Sequence, residues 1–283
     1  MKLSRMSRLA LFCCLLLGGA SVAAEGPPVP PQQEDRTGAV DLRGLPAKMR
    51  STRAKFEFLQ HCSAYWRMKV HYERNRDEPG SIFNNPGAVA AKPPIERRLF
   101  ERSQAIIAAG DPGCEHWMRE VSIPDANWQF YNATLAEALD GSGAAALCFV
   151  ASSWNPLDVL GSVYPFLSRN YARHARHFID REIANGSWPM VLAAYNAQRA
   201  HHGVQTAVTL SKESRYLWSR LMELGAHNPD FRSAYAQDAA EHGAGLTPTQ
   251  FAEADAEANA LYRGAFASRQ MTEDEFYENC GNL

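Results

Sequence analysis

The sequence predicts an all-α protein, an irregular array of antiparallel helical hairpins (α-α superhelix-like) stapled by disulfides. Three observations predict it. Apolar residues recur at three- and four-residue steps through most of the chain. Alternating runs that would build a sheet are scarce: "GVQTAVTL" at 203–210 is the one strand-like piece, and a loop suits it better. Four segments share one punctuation. "IIAAGDPGCEHWM", "LAEALDGSGAAALCFVA", "REIANGSWPMVLAAY" and "LMELGAHNPDFRSAY" each run from a helix end to a glycine (Gly110, Gly141, Gly186, Gly225), then to a capping residue (Asp111, Ser142, Ser187, Asn228). Glycine tolerates the left-handed conformation that closes a helix. The capping oxygen takes a free N–H of the next helix. Pro112, Pro189 and Pro229 fall in its first turn, where no N–H is needed.

The elements follow in order. Residues 1–24 read as a secretory signal. Lys2, Arg5 and Arg8 precede "LALFCCLLLGG", an apolar run too short for a membrane span, and "SVAA" sets cleavage near Ala24. The chain is therefore expected to be exported, periplasmic or secreted, with no membrane span after cleavage. Residues 25–44 are a Pro-rich flexible linker, and 45–283 a single all-helical domain with a repeat-like core over about 95–245. A first helix is expected from Thr52 to near Asn75, on Phe56, Leu59, Cys62, Ala64, Trp66, Val70 and Tyr72. The connection 77–94 carries Gly80, Pro86, Gly87 and a Pro93–Pro94 stop. Its length marks it as a candidate functional loop.

Helices follow at "IERRLFERSQAIIAA", "PDANWQFYNATLAEAL", "SGAAALCFVASSW" and "LSRNYARHARHFIDREIA". The third is nearly all apolar and so expected to be buried all round. "TPTQFAEADAEANALYRGAF" begins with a capping box, Thr247 with Gln250, and Pro248 at the first helical position. "TEDEFYENCGN" repeats that logic with Thr272 and Glu275.

Signal cleavage takes Cys13 and Cys14 away and leaves Cys62, Cys114, Cys148 and Cys280. An even number in an exported chain points to two disulfides, for which three connectivities exist and among which sequence alone does not choose. The preferred pairing is Cys62–Cys114, joining neighbouring helices, with Cys148–Cys280, pinning the C-terminus. No CxxC or CxxCH spacing supports thioredoxin-like chemistry or haem attachment. The chain has 29 Lys and Arg against 31 Asp and Glu, and loss of Lys2, Arg5 and Arg8 leaves 26 basic residues. That balance argues against a nucleic-acid surface.

The unit "NGSWPMVLAAYNAQRAHHGVQ…SRYLWSRLMELGAHNPDF" resembles the Sel-one-like repeats, relatives of the tetratricopeptide repeat. The matching positions are Gly186, Leu192, Ala193, Tyr195, Gly203, Val204, Tyr216, Trp218, Leu224 and Gly225. Residues 186–226 match well, and the likeness extends partially over 100–245, where Gly141, Ala144, Ala145 and Leu147 look like the start of an earlier unit. The glycines lie 31, 45 and 39 residues apart, helical-repeat periods of irregular length. His202 stands where the family has a second glycine, and the loop after Val204 is longer. The resemblance implies scaffold or adaptor roles.

Chemistry-bearing motifs are sparse. A Walker loop needs GxxxxGK[ST], and no Lys follows "GDPGC". There is no GxSxG elbow. His174 and His177, three apart on one helix, could meet His201 around a metal, against the plainer reading of a solvated Arg-rich face. Glu115 reads as a first-turn acid favoured by the helix dipole. The aromatics fit core packing, or, where half-buried on a concave face, a peptide-binding line at Trp154, Tyr164, Trp188, Tyr195 and Trp218. With 77–94, segments 152–166 and 200–210 are the candidate binding regions. The leading expectation is a non-enzymatic protein- or peptide-interaction module of the cell envelope, without cofactor. The alternatives are a cell-wall or metal-assisted hydrolase and a carrier with an apolar inter-helix pocket.

Overall fold

Helix punctuation and apolar periodicity build the fold. The computed structural model describes residues 51–78, 81–92, 94–151, 165–199, 211–277 and Cys280. Among them are twelve α-helices and no strand. They are α1 (Thr52–Asn75), α2 (Pro86–Ala90), α3 (Pro94–Ala109), α4 (Pro112–Glu120), α5 (Ile123–Leu139), α6 (Gly143–Ala151), α7 (Pro165–Ala184), α8 (Trp188–Arg199), α9 (Lys212–Gly225), α10 (Pro229–Gly243), α11 (Pro248–Arg263) and α12 (Glu273–Tyr277). The predicted signal, the linker, Trp154, Tyr164, His201 and segment 200–210 lie outside the described residues. No described helix is long and apolar enough to cross a membrane.

Packing runs between near neighbours in sequence. α1 lies against α3, α4 and α5; α5 against α6; α6 against α7 and α8; α8 against α7, α9 and α12; and α9 against α10 and α11. This is the expected array of helical hairpins. The connection 77–94 is more ordered than a loop: it holds a 3-10 turn (Ile82–Asn84) and α2, capped by Asn85. Phe83 accounts for that order, since its ring packs against Tyr72 and Phe100.

The punctuation works as the residue types require. Asp111 accepts the Cys114 N–H, Ser142 that of Ala145, Ser187 that of Met190 and Asn228 that of Asp230. Thr247 and Gln250 complete their capping box. Gly110, Gly141 and Gly186 are left-handed, with φ of 71°, 101° and 79°. Gly225 is not in that conformation, and its reason is space. A Cβ there would overlap the Trp188 ring, which fills the notch. The turn after α11, left-handed at Ala267 and Ser268, brings buried Phe266 onto the other side of that ring at 4.1 Å between centroids.

The main core collects Phe56, Leu59 and Tyr65 of α1, Trp117 of α4, Phe130 of α5 and Phe149 of α6. It continues through Phe178 of α7, Trp188 of α8 and Leu221 of α9. α6 is buried from Ala145 to Val150, as its all-apolar sequence implied. Leu139, the last residue of α5, is exposed. Two disulfides fasten the array: Cys62–Cys114 joins α1 to α4, and Cys148–Cys280 joins α6 to the C-terminal segment, with Cα–Cα distances of 5.0 and 4.5 Å. Arg67 of α1 also donates to the Cys280 carbonyl at 2.9 Å.

Candidate functional site

One row of α1 carries Arg53, Glu57, His61, Tyr65 and Lys69 at four-residue steps. Each step advances about 40° beyond a full turn, so the row drifts slowly round the helix. Its later members face α4, where Asp111 and Glu115 are also four apart. His61 Nε2 donates to Asp111 Oδ2 at 2.7 Å. Tyr65 Oη and Lys69 Nζ both donate to Glu115 Oε1, at 2.9 and 2.7 Å. Beneath this polar ladder sits the Cys62–Cys114 cystine, both halves fully buried.

The ladder sets the charges. Burial favours a protonated Asp111, but the Cys114 N–H and the His61 contact outweigh it and hold the carboxyl below its usual range. Hydrogen bonds from Lys69, then Tyr65, do the same for Glu115. In return Glu115 raises Lys69, while burial and the same contact push the Tyr65 phenol up. The shifts favour both carboxylates as anions and the lysine as a cation, so complementary charges face each other across the seam.

The earlier members of the row line a cleft of about 370 Å³ where α1 meets the end of α5 and the start of α6. Arg53, Glu57, Gln60, Glu137 and Ser142 supply its polar wall. Arg53 Nε donates to Glu57 at 2.8 Å, and Gln60 Nε2 reaches Cys148 Sγ at 3.3 Å. One wall of the cleft is thus α1, which the Cys62–Cys114 disulfide anchors to α4.

The three described members of the expected aromatic line do not form a surface. Trp188, Tyr195 and Trp218 are 0, 3 and 6% exposed and belong to the core. Trp188 is locked in the Gly225 notch, and Tyr195 donates its hydroxyl to Asp238 while its ring meets Tyr235 edge-on. Apolar ring area is worth more inside the array than on it. His174 and His177 are not brought to a third ligand among the described residues. His174 stacks on Phe178, and burial lowers its pKa. The His/Cys/Asp/Glu group that does converge is His61, Asp111 and Cys114. Sequence reasoning missed it, although a signal existed: joining Cys62 to Cys114 necessarily brings His61 beside residues 111–115.

Compared with known family models, curated proteins and solved structures, the chain matches none significantly.

Proposed function

We propose that the chain is an exported interaction module of the cell envelope, which meets a protein or peptide on the α1 face rather than transforming a substrate. The observation that carries this reading is the polar cleft on a covalently fixed helix. Gln60 and Ser142 are held by their contacts to Cys148 Sγ and the Ala145 N–H, so a partner segment would meet these two groups already ordered, which lowers the entropic cost of association. Arg53, Glu57, Gln60, Glu137 and Ser142 offer a peptide segment hydrogen-bonding groups, and Phe56 and Ala144 an apolar patch beside them. The cleft takes over the role that the buried aromatics cannot fill.

Photo-crosslinking groups placed at Glu57, at Glu137 and, as a control away from the cleft, at exposed Glu253 test this in the cells that export the chain. The expected result is one discrete adduct shared by Glu57 and Glu137 and missing at Glu253. Adducts of equal yield at all three positions, or none at the cleft, would overturn the reading.

A further inference from the structure

We infer that the Cys62–Cys114 seam is a latent zinc site, closed while the disulfide is formed and opened when it is reduced. The donor atoms of His61, Asp111 and Cys114 all lie within 4.8 Å of one another, and Cys62 Sγ is bonded to Cys114 Sγ. Freed from that bond, two thiolates, one imidazole and one carboxylate are the ligand types and the number that tetrahedral Zn²⁺ takes. Three further features fit. Cys114 and Asp111 are already tied, through the Cys114 N–H on Asp111 Oδ1, so the α4 half of the site is set by a helix cap. His61 and Cys62 are rooted in the middle of the longest helix. The sulfurs are buried, while the His61 and Asp111 side chains are 40 and 30% exposed, which gives an ion a path in from solvent.

The chemistry balances with a dithiol as reductant. Two-electron exchange moves the cystine bond to the reductant, which leaves as its own disulfide. The protein gains two thiols, Cys62 and Cys114. Zn²⁺ then displaces both thiol protons to solvent, the 2.7 Å His61–Asp111 hydrogen bond opens, and the Nε2 proton moves through solvent to Nδ1, so that the bare Nε2 and the carboxylate can turn to the metal. Every molecule passes through the dithiol state before its disulfides form. Metal and cystine are thus alternative clasps of α1 on α4, and the oxidant that closes the bond expels the ion. This inference does not need the partner-binding reading: the zinc ligands lie one step further along the same row of α1, where it meets α4, and metal uptake and crosslinking are read separately.

The test uses the full exported chain, oxidised or dithiol-reduced without air, titrated with Zn²⁺ against a chromophoric chelator and with Co²⁺ as a spectroscopic substitute. The reduced chain is expected to bind one ion, with the thiolate charge-transfer and intense visible bands of tetrahedral cobalt; the oxidised chain binds none. His61→Ala and Asp111→Asn leave the disulfide able to form, so their oxidised folds can be checked by circular dichroism. In the reduced form each should weaken zinc at least about tenfold. Cys148→Ser with Cys280→Ser should keep the site. Binding that survives in Cys62→Ser with Cys114→Ser, or affinity unchanged in both His61→Ala and Asp111→Asn, overturns the inference. A reduced chain that unfolds and takes up no stoichiometric metal overturns it as well.

Discussion

Where α1 meets α4, a cystine makes the join, and the polar ladder of His61, Asp111, Tyr65, Lys69 and Glu115 lies over it at the surface. Where α9 meets α11, no cysteine is involved. Asp255 of α11 gathers Tyr216 Oη at 2.9 Å and Arg220 Nε at 3.0 Å from α9, and Asn259 from its own helix at 3.0 Å. Arg220 also pairs with Glu223 at 2.7 Å. The same kinds of side chain thus do different work. On the stapled seam they lie over a join already made, and their cost of ordering is met in part by the covalent bond. On the unstapled seam they make the join together with the apolar packing of Tyr216 on Phe251. Covalent closure frees a polar surface for other uses; a seam held by hydrogen bonds has no such freedom.

The largest test of this contrast removes the staple. Cys62→Ala with Cys114→Ala should cost roughly 4 kcal/mol, the chain-entropy figure for a loop of about 52 residues. Denaturant unfolding measures it, and a loss below ~1 kcal/mol would mean that the ladder suffices alone. Gly225→Ala comes next, at about 2 kcal/mol, since the added methyl must displace a fully buried Trp188. Asp255→Asn should cost about 2 kcal/mol or slightly less, because Arg220 and Tyr216 lose their charged acceptor while Arg220 keeps Glu223. Hydrogen exchange should show that loss confined to α9–α11, with α1 and α4 unchanged.

Two smaller effects depend on pH. Burial, then the Asp255 carboxylate, push the Tyr216 phenol up to about 12. A raised phenol favours the folded state while it is neutral. Its contribution is complete below the ordinary value of 10 and is lost as pH rises toward about 12. Phenolate absorbance against pH should show late-titrating phenols, Tyr131 being raised by burial as well, and Tyr216→Phe should remove one of them. The smallest effect is acidic. Burial raises Glu275, but the Arg269 fork at 2.7 and 2.8 Å and the Thr272 cap outweigh it and lower its pKa. That contribution is present above the ordinary 4.5 and fades as pH falls through the lower folded value. Arg269→Gln should flatten the stability curve there and nowhere else.

Local chemistry made much of the fold legible in the sequence. Helix stops and starts at Gly110–Asp111, Gly141–Ser142 and Gly186–Ser187 depend on neighbours within four residues, so a one-dimensional reading reaches them. The disulfide pairing that the sequence analysis preferred is the one present, although sequence alone does not choose among the three connectivities. Gly225 was misread because its requirement is not local. The Trp188 ring that demands it lies 37 residues earlier in the chain, and a glycine kept for space looks like one kept for conformation. The candidate site was hidden for the same reason. His61 and Asp111 are 50 residues apart, and in sequence Asp111 already has a complete local role as a helix cap, with nothing to point it at His61. The buried aromatics show the converse: periodicity marks a Trp as half of a contact but does not say whether the other half is another helix or a partner.

Trp188 has an optical consequence. Its indole is fully buried, touches Phe266 at 4.1 Å between ring centroids and fills the gap at the end of α9. Indole emission shifts to longer wavelength when water reaches the ring. The colour of this one residue therefore gauges whether α8, the end of α9 and the turn after α11 are seated together. A variant keeping Trp188 as its sole tryptophan would turn the closure of the unstapled half into a spectral reading.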